Sequence, residues 1–494
     1  MASLLNKLSN KFKMSYAKMA NFFIDKKNII NKIYFISIVV YFFVVFLPNI
    51  TTGSPLSSFF NEGITKIIYR VFFAISFGFI SIVAFIANDI RLNRLTFFTL
   101  LGFLVFLIVG TLFNLSPIST VYINGYYEKV VISYSTGALD IITYYGNLLF
   151  SYVFCFALFT SIPLIMKDKA KLSILLDSFI VAMLLLCFIS YIKDAKLYYS
   201  VLKLDFNQYT EKGISSLFAS KNSFGVFLYQ GIICSLIAHH FRQQAKYRFL
   251  YLIAVSLFSI TLVFTLCKDA IFALAIFTIV FLIYLFRKQQ KRVIDYALIS
   301  FWAVLSCLIL FLIIALLNQE TLKEIPFFKR IYDFMGANPV SGHDNAFIGR
   351  LEIVAVFFLS ISGIHYLVGY GHALPSNAYI WSLTYRGEGN ENLHNTFLHI
   401  FGTGGIFYFA FYIFMIGYTF YLIFKNKSND KKIFYLLFGL LASHVFYSLF
   451  ETSIMFLSGS SATMLFSIIL VSLINRDSLK HNIKSSNIYC EVTI

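Results

Sequence analysis

Twelve long apolar runs divide this 494-residue chain. They lie at roughly 33–50, 64–87, 95–115, 141–166, 172–192, 217–238, 248–266, 270–286, 294–317, 396–424, 433–450 and 459–474. Most reach the ~20 residues that a helix needs to cross a hydrocarbon core. Only 13% of residues are charged and 59% are hydrophobic, whereas a soluble domain carries about a quarter charged residues. One globular core cannot hide that much apolar surface, so a bilayer must solvate much of it. The expected fold is an all-α polytopic membrane protein of about twelve transmembrane helices.

Charge fixes the expected topology. With the N-terminus inside, segments 1–32, 88–94, 167–171, 239–248, 287–292, 425–432 and 475–494 are all cytoplasmic. They hold 26 of the 40 Lys and Arg but only 6 of the 23 Asp and Glu, as the positive-inside rule requires. The same scatter argues against nucleic-acid binding, which would collect the +17 charge on one face. Residues 1–32 carry seven Lys and one Asp ahead of the first run, and no small-x-small cleavage site follows. This reads as an uncleaved first helix after a basic cytoplasmic N-terminus.

The expected domains are that N-terminus, spans one to nine over 33–317, a large outer loop over 318–395, spans ten to twelve over 396–474 and a cytoplasmic tail over 475–494. The loop is about 78 residues long and is not low-complexity. A loop of that length on a compact scaffold is commonly functional. Within it, Arg350–Val368 is apolar enough to insert. Were it to span, Lys425, Lys427, Lys431 and Lys432 would face outward. It is therefore expected to dip into, or lie on, the outer leaflet. The six cysteines form no Cys-x-x-Cys or Cys/His cluster, and neither a disulfide nor a metal site is expected.

Charges beside apolar segments on the outer side are the candidates for chemistry, because charge at membrane depth usually faces a cavity or a partner. These are Lys221, Lys268 with Asp269, Arg350, Arg386 and His394. Each has a plainer reading. Lys221 reads first as an interfacial anchor, Lys268 as part of a solvated turn, Arg386 as a loop charge and His394 as a helix-end residue. Arg350 has only an ion pair to Glu352 as a structural excuse. Tyr370, in Gly369-Tyr-Gly-His372, reads as a turn residue or a sugar contact. Together, two or three cations and one imidazole suit a diphosphate leaving group and a hydroxyl deprotonated by His.

The order of segments resembles the O-antigen polymerase/ligase superfamily. Asn392-Leu-His-Asn-Thr-Phe-Leu-His-Ile-Phe-Gly-Thr-Gly-Gly-Ile406 is similar to its His-Asn motif at the start of a late span. Gly349-Arg-Leu-Glu352 resembles the Gly-Arg that opens its long-loop helix, and Gly369-Tyr-Gly371 the Gly-x-Gly that follows. Thr265-Leu-Cys-Lys-Asp-Ala270 resembles its basic turn between two central spans. Ser220-Lys-Asn-Ser-Phe-Gly225 resembles its Asn-x-Phe segment. The resemblance covers about residues 217–460.

It implies a metal-independent glycosyltransferase of the GT-C type in a bacterial inner membrane, with no cofactor. The donor would be a glycan on undecaprenyl diphosphate. Arg350 would bind the diphosphate and His394 would activate the acceptor hydroxyl, with Glu391 next in line as base. Lys268, Lys221, Arg386 and Tyr370 would contact diphosphate or glycan. Lys268 stands where ligases usually have Arg, which suits a polymerase of O-antigen or a related surface polysaccharide better than a ligase acting on lipid A core. Membrane lipids and a chain-length regulator protein are the expected partners. A flippase for the same lipid-linked sugar is the reading from another class, but flippases usually show similar halves and short loops. This chain has neither.

The topology makes a direct prediction. A reporter active only in the periplasm should be active when fused after Pro339 and silent when fused after Lys427. The reverse pair would overturn the assignment of sides.

Overall fold

The computed structural model describes residues 18–51, 63–92, 94–112, 118–123, 129–134, 138–202, 214–218, 220–242, 246–265, 267–287, 394–425, 430–456, 461–474 and 491–492, with positions 354, 357–358, 361 and 363–369. The helices are α1 (Lys27–Thr51), α2 (Gly63–Ala87), α3 (Arg94–Leu112), α4 (Ala138–Phe159), α5 (Ser161–Met166), α6 (Lys169–Lys193) and α7 (Ala195–Leu202). There follow α8 (Lys221–Phe241), α9 (Phe249–Thr265), α10 (Lys268–Arg287), α11 (His365–Val368), α12 (Thr396–Lys425), α13 (Lys431–Tyr447) and α14 (Ser461–Ile474). Eleven of the twelve expected runs fall on these helices. The run 294–317 lies outside the described residues, as does most of 318–395.

The chain is an integral membrane protein. Five described helices are long and apolar enough to cross a membrane, with four shorter apolar helices beside them. Large apolar side chains such as Ile68, Phe72, Phe79, Phe188 and Val263 are exposed, which water would penalise and lipid does not. By contrast α8 is buried along most of its length. It packs on α6, α9 and α10 and forms the centre of its group of helices.

Two expectations need correction. The run 141–166 is not one helix. It breaks at Thr160 (φ −122°, ψ −79°) into α4 and α5, because Pro163 lacks an N–H and its ring would clash with the carbonyl of residue 159 in a continuous helix. The run 396–424 is bent: Gly405 sits at φ +71° inside α12. Two short strand pairings accompany the helices. Strand β2 (Ile118–Ile123) pairs antiparallel with β3 (Lys129–Tyr134), and β1 (Arg91–Leu92) pairs parallel with β4 (Glu491–Val492).

Side-chain pairs sort the helix ends into two groups. At one end His240 Nε2 meets Asp430 Oδ2 at 3.2 Å, and Arg242 Nη2 donates to Asp177 Oδ2 at 2.9 Å. The first pair joins two segments expected to be cytoplasmic, whereas Asp177 of the second lies within the expected span 172–192. Asp430 also caps α13 by accepting from the Lys432 and Ile433 amides. Burial works to raise its pKa, but the Ile433 amide, His240 and the Lys432 amide outweigh it and hold the carboxyl below its ordinary value. At the opposite end Asn222 meets Glu451. Residues 222 and 240 are 18 apart, about 27 Å at a rise of ~1.5 Å per residue, so α8 spans nearly a full hydrocarbon core.

The bend in α12 is built by two glycines on different segments. Gly369 (φ +70°) and Gly405 both lie in the left-handed region that side chains avoid. A Cβ on Gly405 would run into the Leu367 carbonyl, and one on Gly369 into the Thr403–Gly404 peptide. The 365–369 backbone therefore crosses α12 in direct contact. Gly405 is nine residues into α12, about 13 Å from its first turn, which sets this crossing at the depth of the bundle rather than beyond its end. Phe357 and Ile361 pack on Phe401 beside it. Gly405→Ala should lower the denaturation midpoint in detergent by several degrees, because it adds both backbone strain and a collision. An unchanged midpoint would mean that the two segments do not hold each other.

Candidate active site

The end of the bundle that holds Asn222 and Glu451 gathers the first turns of α8, α10 and α12. Each is fixed by local chemistry. Ser220 caps α8 by accepting from the Ser223 amide at 3.2 Å. The turn into α10 is tied down by Thr265 Oγ1, which accepts from the Cys267 amide at 3.2 Å. Cys267 then lies against α8, its Sγ 3.9 Å from the Asn222 carbonyl. Residue 225 has to be glycine for this approach, since a Cβ there would stand 2.5 Å from Cys267 Cβ. This close packing accounts for two of the sequence segments singled out, Ser220–Gly225 and Thr265–Ala270.

The His-Asn-Thr segment before α12 is stapled to the stretch after α13. Asn395 Oδ1 accepts from the Phe397 and Leu398 amides and caps α12, while its Nδ2 donates to the Leu449 carbonyl at 3.0 Å. The Thr396 amide donates to the Ser448 carbonyl at 2.8 Å. Thr396 Oγ1 donates to the Glu451 carbonyl at 2.9 Å and accepts from the Ser453 amide at 2.7 Å. His444 Nε2 lies 3.2 Å from the Ser453 carbonyl behind this loop. His394 itself takes φ +47°, a conformation a non-glycine residue adopts only when its surroundings enforce it.

The result is a three-residue chain. Asn222 Nδ2 donates to Glu451 Oε1 at 3.3 Å, and His394 Nδ1 lies 3.1 Å from Glu451 Oε2. The carboxylate is 11% exposed and the imidazole 31%, so the acid is held inside while the ring reaches the opening. An ionised carboxylate only accepts hydrogen bonds. A neutral ring that turns its Nδ1 proton toward an ionised Glu451 would present Nε2 as an acceptor. Such a ring can take a proton from an incoming hydroxyl, with the acid fixing its tautomer and stabilising the imidazolium that forms.

Electrostatics tie the α9–α10 turn into the same cluster. Burial pushes the Cys267 thiol well up, and the negative charges of Asp269 and Glu451 push the same way. Lys268 opens α10 one residue further on, beside Asp269. Lys221 opens α8 beside Asn222 and is buried at 8% exposure. Lys221 and Lys268 thus each stand one residue from a member of this cluster, Asn222 and Cys267, which meet each other and, through Glu451, His394. Arg350, Arg386 and Tyr370 lie outside the described residues, as does Glu391. Reading the sequence missed Glu451 as His394's partner, although it satisfies the criterion that selected the others, a charge at the outer end of an apolar run. Asn222 was noted only as part of a motif.

Residues 252–413, about a third of the chain, match the family model described as O-Antigen ligase. His394 and Lys268 fall inside the matched stretch. No curated protein matches the chain.

Proposed function

We propose that the chain, whose residues 252–413 match the O-antigen ligase family model, is a glycan polymerase of the O-antigen polymerase/ligase superfamily. It joins oligosaccharide repeat units carried on undecaprenyl diphosphate at the periplasmic face of a bacterial inner membrane. The observation that carries the reading is the Asn222–Glu451–His394 chain beside two lysines. His394 Nε2 takes the proton of the acceptor hydroxyl. The freed oxygen attacks the anomeric carbon of the donor sugar, and the bond to the diphosphate breaks with its electron pair on the leaving lipid. Glu451 keeps the imidazole in the productive tautomer and offsets its positive charge. Lys268 counters the charge growing on the diphosphate, with Arg350 as a second cation and Arg386 and Tyr370 as glycan contacts. No metal is required in this scheme, because side chains carry the counter-charge.

A ligase that transfers the glycan to lipid A core is the second reading, favoured by the description of the matched family. One assay separates the two. Purified protein is given lipid-linked repeat units, with and without lipid A core and with a chelator. A ladder of repeats supports the polymerase, and a single shift of the core supports the ligase. No product in either arm sinks both, and activity abolished by the chelator sinks the metal-free scheme.

The roles of the dyad are separable in the same assay. Losing a general base costs ~10²–10⁴ in rate. His394→Gln keeps a hydrogen bond but cannot take a proton, so it should make little polymer while still binding donor. Glu451→Gln can offer its amide N–H to the ring and favour the wrong tautomer, so it too should lose ~10²-fold or more. An active His394→Gln would move the base elsewhere.

Lys268 is a point charge on a flexible stem. Lys268→Arg should keep most activity and Lys268→Ala should lose it. Full activity in both would return Lys268 to a turn residue.

A further inference from the structure

His444 is a buried group that the proposed chemistry leaves unused. It lies in α13, 1% exposed, with its ring edge-to-face on Phe466 at a centroid distance of 5.7 Å. Its Nε2 faces the Ser453 carbonyl at 3.2 Å. A carbonyl can only accept, so this contact is a hydrogen bond only when the proton sits on Nε2. Nδ1 is then a buried acceptor, and it has no partner among the described residues. Packing alone would be better served by Phe or Leu, which leave no polar atom unsatisfied. What the imidazole adds is its bond to residue 453.

That bond ends in a stretch of irregular backbone. Residues 451–456 follow neither helix nor strand, yet Glu451, Ser453, Met455 and Phe456 are buried. Inside a membrane protein such a stretch needs its polar groups satisfied by its neighbours. Side chains do this here. Tyr412 Oη accepts from the Met455 amide at 3.2 Å, and Ser467 Oγ accepts from the Phe456 amide at 3.0 Å. Residue 453 is gripped on both sides: Thr396 Oγ1 takes its amide, while His444 and Ser448 Oγ meet its carbonyl. Ser448 belongs to the loop's own start, so His444 is the tie to the body of α13. The Thr396 hydroxyl that holds Ser453 also donates to the Glu451 carbonyl, and Thr396 stands two residues after His394. The 3.1 Å separation of Glu451 and His394 is therefore set within one short ring of bonds.

We infer that His444 is a positioning residue for the glycosyl transfer. Through Ser453 and Thr396 it holds the Glu451 carboxylate against His394. It touches no substrate and exchanges no proton. The kinetic half of this inference rests on the polymerase reading; the geometric half does not.

The test compares the full chain in nanodiscs with His444→Phe, His444→Gln and Glu451→Gln, and with His444→Phe and Glu451→Gln combined. Two quantities are read. One is turnover of lipid-linked repeat units. The other is the rate at which diethyl pyrocarbonate labels His394, followed by mass spectrometry of its peptide, which needs no substrate. Phe keeps the ring volume and removes an orphaned nitrogen, so His444→Phe should fold. Its kcat should fall about 10²-fold, as for a displaced catalytic group, with KM for the donor little changed. A carboxylate on Nδ1 makes Nε2 a better nucleophile, so labelling should slow in Glu451→Gln and in His444→Phe alike. His444→Gln sets an amide N–H where Nε2 stood and should restore both quantities. Because His444 acts through Glu451, its loss should add little in a chain already carrying Glu451→Gln. A merely structural role would lower the denaturation midpoint, leave His394 labelling unchanged and add in full to Glu451→Gln. That result overturns the inference, as does a His444→Gln as impaired as His444→Phe. A parent that makes no glycan refutes only the polymerase reading, and the labelling comparison still decides the role of His444.

Discussion

A carboxylate that leaves water must find its hydrogen bonds inside the protein, and Glu451 finds them on two other segments. One oxygen takes the amide of Asn222 on α8 and the other faces His394 ahead of α12. Its own backbone carbonyl takes Thr396. Three stretches far apart in the chain are therefore joined at one side chain. The site's geometry follows from satisfying that acid. The cap of α12, the left-handed turn at His394 and the exposure of the imidazole all belong to the same set of bonds.

How much of this was legible in the sequence depended on range. Hydropathy alone located the helices, because each buries or exposes its own apolar run whatever its neighbours do. The break at Thr160 was also readable, since Pro163 has a local reason to stop a helix. The bend at Gly405 was not, although Gly402-Thr-Gly-Gly405 is a flexible stretch. What requires the bend is the backbone of Leu367, 38 residues earlier.

The site was legible in the same uneven way. Motif and chemistry picked out His394, which meets Glu451, and Lys268, which opens α10 next to Cys267. Glu451 was missed because nothing near it in sequence marks it as the partner of residue 394, and a 57-residue separation hides a 3.1 Å contact. Lys221 was noticed for its charge, with an interfacial anchor as its plainer reading and a diphosphate or glycan contact as what the resemblance implied. Only burial distinguishes an ammonium that reaches water from one that does not.

The bonds between α8 and α13 have a mechanical meaning. Asn222 reaches Glu451 just past one end of α13, Tyr229 meets Ser443 within the bundle, and His240 meets Asp430 at the other end. Three rungs at three depths make a ladder of two rails. Neither rail can slide along the other without breaking a rung that apolar surroundings cannot replace. The two helices therefore behave as one rigid post, and the Glu451–His394 pair at one end is mounted on a part of the molecule that cannot be retuned by sliding.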